Sequence, residues 1–319
     1  MTTYKGLRGL TIQTVAGDPS VLAVGDIWYD NVAKKVQGAK IAGGTWASGG
    51  NVNTARYLVG SAGTQTAGIL YGGAGPGAGP IANHTEKYDG SSWTEVGNLT
   101  TARYHCAGAG TQTAALAFGG TPPQTGKTEE FNGTGWTESG DLTTTRVSMA
   151  SAGVQTAALC ISGNAPGTAN VENYNGSTWT EIANVNTARS LFKGCGTSTA
   201  ALTTGGESTG YNAQTELWNG TSWTEVADLN LARGNGSMFG ISTSAVFAGG
   251  YNDAYQTETE QWDGTSWTEV ADVSENTGGG SDHGTLESGL IAAGNGNSYP
   301  VLTQEWSGPA EAAVTFTSS

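Results

Sequence analysis

The chain has 319 residues, a formal charge of −14 and only 13% charged residues, beside 51 glycines, ten tryptophans and eleven tyrosines. That composition speaks against a helical bundle and for many short strands joined by tight turns, and the acidic balance disfavours nucleic acid and anionic lipid as partners. No run of 18 apolar residues is present, so no membrane insertion by a helix is expected, and the start, MTTYKGLRGLTIQ, has no apolar secretory segment.

Residues 1–43 form an arm outside the repeat that follows. Positions 1–40 hold five basic and three acidic side chains, a net of +2, whereas 41–319 carry a net of −16. The arm reads as a strand at 26–30, a polar turn and a second strand at 35–41. It is too small for a core of its own, so its apolar members must bury against the rest of the chain or against a neighbouring subunit. The candidate anchoring residues are Lys5, Arg8, Ile27, Trp28, Tyr29, Lys34 and Lys35.

From position 44 to 308 the sequence repeats itself six times. Tryptophan recurs at Trp46, Trp93, Trp136, Trp179, Trp223 and Trp267. Ten residues after the first five come Arg56, Arg103, Arg146, Arg189 and Arg233, and the sixth equivalent is Thr277. A small-Gly pair ends an apolar stretch at 72–73, 119–120, 162–163, 205–206, 249–250 and 293–294, and an aromatic precedes a turn at Tyr88, Phe131, Tyr174, Trp218, Trp262 and Trp306. The dipeptide after that aromatic is Asp-Gly or Asn-Gly in five repeats, a strong hairpin signal. In the second repeat the expected strands are 104–109, 114–120, 128–131 and 135–138. Four antiparallel strands per period of 43 to 47 residues make a propeller blade. The last repeat has no Trp-bearing fourth strand, and Trp46 has no blade before it. The strand at 45–48 is therefore expected to complete blade six and close the ring, leaving no open edge. Residues 309–319 remain as a C-terminal tail with an alternating Val-Thr-Phe-Thr segment able to pair as an added strand.

The double glycine, the aromatic and the tryptophan, as in GG…YDGSSW (72–93) and GG…WNGTSW (205–223), resemble kelch-type repeats, which implies an all-β, six-bladed β-propeller. The arm sequence GDIWY with a basic second strand, running directly into TWASGGNVNTAR, resembles a hairpin module of bacteriophage virion proteins; the asparagine usual after the Tyr is Asp30 here. That resemblance implies a non-enzymatic structural protein of the phage particle, assembled in the host cytoplasm. The arm would contact other virion proteins in the capsid or tail and the propeller would be displayed. A receptor-binding tail protein gripping a host surface glycan or protein is one alternative, and a kelch-type enzyme is the other. Capsid or tail location and a homo-oligomeric state stay open.

Enzymatic chemistry has little to build on. The carboxylates Glu86, Glu129, Glu172, Glu216 and Glu260, and those at 95, 138, 181, 225 and 269, recur once per blade, whereas a reaction centre is single. They read as partners of the arginines or as solvated strand edges. Asp-Gly-Ser-Ser-Trp at 89–93 is similar to a sialidase Asp-box but lacks the clustered arginines. Only three histidines exist: His105 is expected buried in an apolar strand, His84 and His283 at the surface or in loops. Cys106, Cys160 and Cys195 read as small buried apolar side chains. No catalytic residue, metal or cofactor is assigned. The loop after the glycine pair differs in every repeat, so the variable loops should line one face and carry binding. The candidate contact residues there are Tyr211, Asn212, Tyr251, Asn252, Asp253, Tyr255 and Tyr299.

Overall fold

A computed structural model describes residues 13–17, 26–76, 80–164, 167–275, 277–296 and 301–315. The described chain divides into two compact units, 45–308 and 1–44 with 309–319.

The larger unit is a six-bladed β-propeller. Its chain starts with strand β4 (Thr45–Ser48), described below with the last blade. Blade one is β5 (Gly60–Thr64), β6 (Ala67–Tyr71), β7 (Thr85–Tyr88) and β8 (Trp93–Val96). Blade two is β9 (Ala107–Thr111), β10 (Ala114–Phe118), β11 (Thr128–Phe131) and β12 (Trp136–Glu138). Blade three is β13 (Ala150–Val154), β14 (Ala157–Gly163), β15 (Thr168–Tyr174) and β16 (Trp179–Ile182). Blade four is β17 (Lys193–Thr197), β18 (Ala200–Thr204), β19 (Thr215–Trp218) and β20 (Trp223–Glu225). Blade five is β21 (Ser237–Ile241), β22 (Ser244–Ala248), β23 (Thr259–Trp262) and β24 (Trp267–Val270). Blade six is β25 (Ser281–Gly284), β26 (Ser288–Ala292) and β27 (Thr303–Ser307), and its fourth strand is β4, antiparallel to β27 with Trp46 opposite Trp306. The ring thus closes through the strand that the sequence leaves over at its start.

Each blade is a meander whose second strand is almost wholly buried, as the runs AGILY, AALAF and SAVFA require. In five blades the Asp or Asn after the turn aromatic folds the last hairpin. Asn132 Oδ1, for example, accepts from the amides of Thr134 and Gly135, and Gly133 takes φ 96°. The turn aromatic stacks on the Trp that follows, with ring centroids 4.9 Å apart for Tyr174 and Trp179 and 5.4 Å for Trp262 and Trp267. The indole N–H then leaves the blade. Trp136 donates to Thr85 Oγ1, Trp179 to Thr128 Oγ1 and Trp267 to Thr215 Oγ1, each at 2.9–3.1 Å and each in the preceding blade. One aromatic per blade therefore serves both the blade's own packing and the joint behind it.

The expected strand at 104–109 begins later, at Ala107. His105 has φ 54°, and Tyr104 makes only an isolated bridge to Thr121. The same left-handed residue recurs before every innermost strand: Leu58, His105, Ser148, Leu191, Asn235 and Gly279. Apolar character in 104–106 hides this turn, because left-handed φ leaves no compositional trace when the residue is not glycine.

The smaller unit is a four-stranded sheet in the order β1 (Gln13–Val15), β2 (Ile27–Asp30), β3 (Lys35–Ala42) and β28 (Ala310–Thr315). β2 and β3 are the hairpin expected from the sequence. Asp30 stitches its turn, accepting from the Val32 and Ala33 amides at 2.8 and 3.1 Å and from Gln37 Nε2 at 3.1 Å; the Ala33 amide in first place holds its carboxyl below the usual carboxylate range. The C-terminal tail pairs within the same chain: β28 runs antiparallel to β3, with Ala310 opposite Ala42.

Closure yields a direct test. A ring of residues 45–308 should unfold cooperatively in urea, and the same ring lacking β4 (49–308) should be less stable by about 3 kcal/mol. That is the low end for losing a large aromatic, because Trp46 is only half-buried. Coincident unfolding curves for the two would show that β4 does not close the ring.

Candidate functional site

Three circuits of contacts join the blades, and two of them pass through the arginine column. Each arginine lies in the linker that enters a blade, and its guanidinium reaches the third strand of that blade. Arg56 meets Glu86 at 2.7 Å, Arg103 meets Glu129 at 3.1 Å, Arg189 meets Glu216 at 3.3 Å and Arg233 meets Glu260 at 2.6 Å; Arg146 pairs with Glu172 in the same way. All ten side chains are buried. The same glutamates accept linker amides: Asn53 N to Glu86, Thr100 N to Glu129, Thr143 N to Glu172, Asn186 N to Glu216 and Asn230 N to Glu260, all at 2.7–2.8 Å. Burial pulls the Arg56 pKa down to about 10 against the opposing charges of Glu86 and Glu95, which leaves the group charged at neutral pH. The second acidic column (Glu95, Glu138, Glu181, Glu225, Glu269) is exposed on the outermost strands or at their ends. Blade six replaces the ion pair with neutral groups. Thr277 stands for the arginine and Gln304 for the glutamate, and Gln304 Oε1 still accepts the linker amide of Ser274 at 2.8 Å.

The arginine backbone supplies the second circuit. The N–H of the second residue of each glycine pair donates to the carbonyl of the next blade's column residue, from Gly73 to Arg103 (2.9 Å) through Gly250 to Thr277 (2.7 Å) and back from Gly294 to Arg56 (2.9 Å). The first residue of the pair is also left-handed. A Cβ on Gly72 would lie 2.4 Å from the Arg103 carbonyl oxygen, so that joint is built around its absence.

The third circuit encircles the axis. The amides of the six left-handed residues donate in turn to one another's carbonyls: Leu58 to Gly279, His105 to Leu58, Ser148 to His105, Leu191 to Ser148, Asn235 to Leu191 and Gly279 to Asn235, at 2.6–3.1 Å. This closed ring frames the mouth of the axial channel on the face that carries the variable loops. Below it the channel is lined by the innermost strands, and its wider part, of about 110 Å³, is walled mainly by glycine, serine and alanine, with Cys195, Met238, Phe239, Asp282 and His283 among them.

The expected contact residues fall on that face. Tyr211 and Tyr251 meet edge to face with centroids 5.9 Å apart, and Tyr251 and Tyr255 at 5.0 Å, so loops of blades four and five bring three half-buried tyrosines together. Asn212 and Asn252 do not present free amides. Asn212 Nδ2 donates to Ser208 Oγ and the Gly210 carbonyl within its own loop, and Asn252 Nδ2 to the Ala232 carbonyl in the linker that enters the same blade. Asp253 is exposed at φ 75° in a tight turn. Tyr299 lies outside the described residues, as do Lys5 and Arg8. Of the remaining arm residues, Ile27 (38%), Lys34 and Lys35 are exposed, Tyr29 is half-buried, and Trp28, at 2% exposure, is an interior side chain that offers no contact surface.

Sequence reasoning missed the charged and polar groups on the axis. The first residue of the innermost strand is Gly60, Ala107, Ala150, Ser237 or Ser281 in five blades but Lys193 in blade four. The second residue is Asp282 in blade six. Lys193 Nζ meets Asp282 Oδ2 at 3.0 Å, with both side chains about one-fifth exposed. Asp282 also accepts from Ser61 Oγ at 2.9 Å and from the Met238 amide at 3.2 Å, which ties blades one, four, five and six. The signal was present as a break in a column of small residues. His283 is a correction: it is 2% exposed in β25, and Nε2 donates to the Ile69 carbonyl at 2.9 Å across the joint of blades six and one. His105 is likewise outside any strand and half-buried at the mouth, its Nδ1 2.8 Å from Ser148 Oγ. Burial first, and then the Lys193 charge, push its pKa down to about 4. Cys106, Cys160 and Cys195 are buried free thiols. Among the described residues no group of three or more His, Cys, Asp or Glu is placed to hold a metal ion.

Neither a protein-family model nor a curated protein matches the chain. The fold and the axial site define the protein as a six-bladed β-propeller with a separate terminal sheet.

Two outcomes follow from the side chains. Arg233→Ala should cost about 3–5 kcal/mol, because it strands the buried carboxylate of Glu260. Arg233→Thr with Glu260→Gln, the pair of residue types found in blade six, should cost less than Arg233→Ala alone; a larger loss for the double variant in denaturant titration would contradict this. Second, His105 releases its proton more readily folded than unfolded, so the unfolded chain binds the proton first as pH falls. Its contribution to stability should be complete above about pH 6.5 and fade toward pH 4. The difference in unfolding free energy between wild type and His105→Asn should track that window, and a pH-independent difference would refute it.

Proposed function

We propose that the chain is a non-enzymatic structural protein of a bacteriophage particle, in which the terminal sheet docks on another virion protein and the kelch-like ring is displayed. The observation that carries this reading is the division of labour along the chain. The ring closes with its own strand β4, while the residues before and after it meet in a sheet that the ring's closure does not use. That sheet presents Ile27 and Val32, 38% and 71% exposed, beside exposed Lys34 and Lys35. An apolar and basic surface on a chain of net charge −14 suits a docking element. The likeness of the GDIWY hairpin to phage virion modules supplies the setting, and the once-per-blade arginines and glutamates, spent on the blade joints, remove the most abundant carboxylates from any catalytic reading.

A second reading, binding of a host receptor glycan, is favoured by Tyr211, Tyr251 and Tyr255 on the variable-loop face. The two readings are compatible, since one uses the terminal sheet and the other the variable loops of the ring.

The test offers residues 45–308 and the full chain to particles assembled without the protein. The full chain should be incorporated, and the isolated ring should stay in solution with an intact melting transition. Incorporation of the ring at the level of the full chain would remove the anchoring role from the terminal sheet.

A further inference from the structure

The six left-handed residues of the mouth ring spend their backbone amides on one another, so the chemistry of the opening falls to side chains. At the mouth lies a cavity of about 40 Å³, room for a few waters or one small ion and too little for an organic ligand. The side chains in its wall that carry charge or a strong hydrogen-bonding group come from four blades: His105, Ser148, Lys193 and Asn235. None of these residue types recurs at its position in another blade, and the rest of the wall is largely apolar.

No carboxylate lines this cavity. On a chain of net charge −14 its ionisable groups are the Lys193 ammonium, the His105 imidazole and the Cys106 thiol, which burial keeps protonated. Asp282 belongs to the walls of the two voids deeper on the axis, where it meets Lys193 Nζ at 3.0 Å. An ammonium has three protons, and one contact to Asp282 leaves two. The Asn235 side-chain amide donates to no group among the described residues, and a Cβ on Gly279 would lie 3.1 Å from its Nδ2, so the glycine of blade six leaves it room. Ser148 Oγ lies 2.8 Å from His105 Nδ1; a hydroxyl that donates there leaves the imidazole proton on Nε2 as a further donor.

Size and charge name the ligand. A cation would be repelled by Lys193, and a sugar or amino acid is too large. A divalent oxyanion needs more positive charge than an ammonium already shared with Asp282 supplies. A monovalent anion of the size of chloride meets both limits.

We propose that the mouth cavity is a halide site, in which a chloride ion accepts hydrogen bonds from Lys193 Nζ, Asn235 Nδ2 and the His105 imidazole and so links blades two, four and five. The site depends on neither the docking nor the receptor reading above. Burial first, and then the Lys193 charge, oppose protonation of His105, and an anion bound beside both cationic groups offsets that opposition. Chloride should therefore bind more tightly as the pH falls.

The experiment follows the chlorine NMR linewidth of sodium chloride with the full chain, at an ionic strength held constant with gluconate, an anion too large for the cavity. Crystals soaked in sodium bromide locate the ion by anomalous scattering. The chain should broaden the chloride line, more at about pH 5 than at about pH 7.5. Its melting temperature should rise when chloride replaces gluconate. Two variants use residue types found at the same positions in other blades, so that the ring persists: Asn235→Gly, and Lys193→Ala combined with Asp282→Ser. Each should weaken binding severalfold or abolish it while the chain still melts cooperatively. Asp282→Asn, which releases the ammonium from its carboxylate, should instead tighten binding severalfold, and His105→Leu should remove the pH dependence. Broadening that survives Asn235→Gly and the double variant, weaker binding in Asp282→Asn, or no bromide at the mouth would each overturn the proposal. A bromide peak at the mouth without chloride broadening in solution is an adventitious ion only and overturns it as well.

Discussion

The buried arginine–glutamate pair at the blade joints is the constraint on which the rest of the ring is arranged. A buried charge that loses its partner costs several kcal/mol, so each arginine fixes the linker, the third strand and the register between them at once. Because the linker is fixed, its amide lands on the second carboxylate oxygen, as Asn53 does on Glu86. Because the arginine's own backbone is fixed, its carbonyl meets the glycine N–H of the preceding blade. One side chain thereby connects two blades through its backbone and orders a third strand through its head group. Blade six shows that geometry, not charge, is the requirement. Gln304 keeps the bond to Ser274 while both charges are gone, and there the closing strand β4 supplies the outer edge from the other end of the chain.

The joints are reinforced by groups with a second duty. The tryptophans pack inside their own blades and hydrogen-bond to the blade behind. The constant turn between the first two strands has a comparable reason. Gln65 and Gln155 each donate to two carbonyls of the preceding blade, Gly289 and Trp306 for the first and Ala115 and Phe131 for the second. In blades four and five a serine takes that position and in blade six Leu286, and the turn tryptophans Trp218, Trp262 and Trp306 bond that residue's carbonyl within the same blade. The turn keeps its glutamine in the three blades where it bonds the preceding blade, whereas the loops on the opposite face differ in every repeat.

This explains what was legible in the sequence. Six aligned columns gave blade number, strand order and the closing role of 45–48, because each column is a requirement repeated six times. Boundaries were less legible where a requirement concerns backbone conformation, as at His105, whose left-handed φ moved the start of β9 from 104 to 107. His283 was misread because the sixth repeat diverges most, and its burial depends on Ile69 of blade one, a neighbour only after closure. Asn212 and Asn252 looked available as amides, yet Asn212 bonds within its own loop and Asn252 reaches the Ala232 carbonyl of a linker that is its neighbour only in the folded blade. Lys193 and Asp282, 89 positions apart, carry no joint signature until the ring brings their strands to the axis.

The axis is also where single-copy chemistry has to sit in such a molecule. At the rim, each side chain sees its own blade and one neighbour, so the rim repeats with the sequence. At the axis six strands converge, and one substitution in one blade faces groups from several others. The ring of backbone hydrogen bonds through Leu58, His105, Ser148, Leu191, Asn235 and Gly279 makes this tolerable. It satisfies the amides and carbonyls of the mouth without using any side chain, so those six positions, and the strand starts beneath them, are free to differ. Five blades could therefore keep glycine, alanine or serine at the first strand position while blade four acquired Lys193, and Asp282 could neutralise it from blade six without disturbing a joint. The uniform framework and the irregular axis have the same origin: backbone bonds carry the closure there, and side chains are left free to differ.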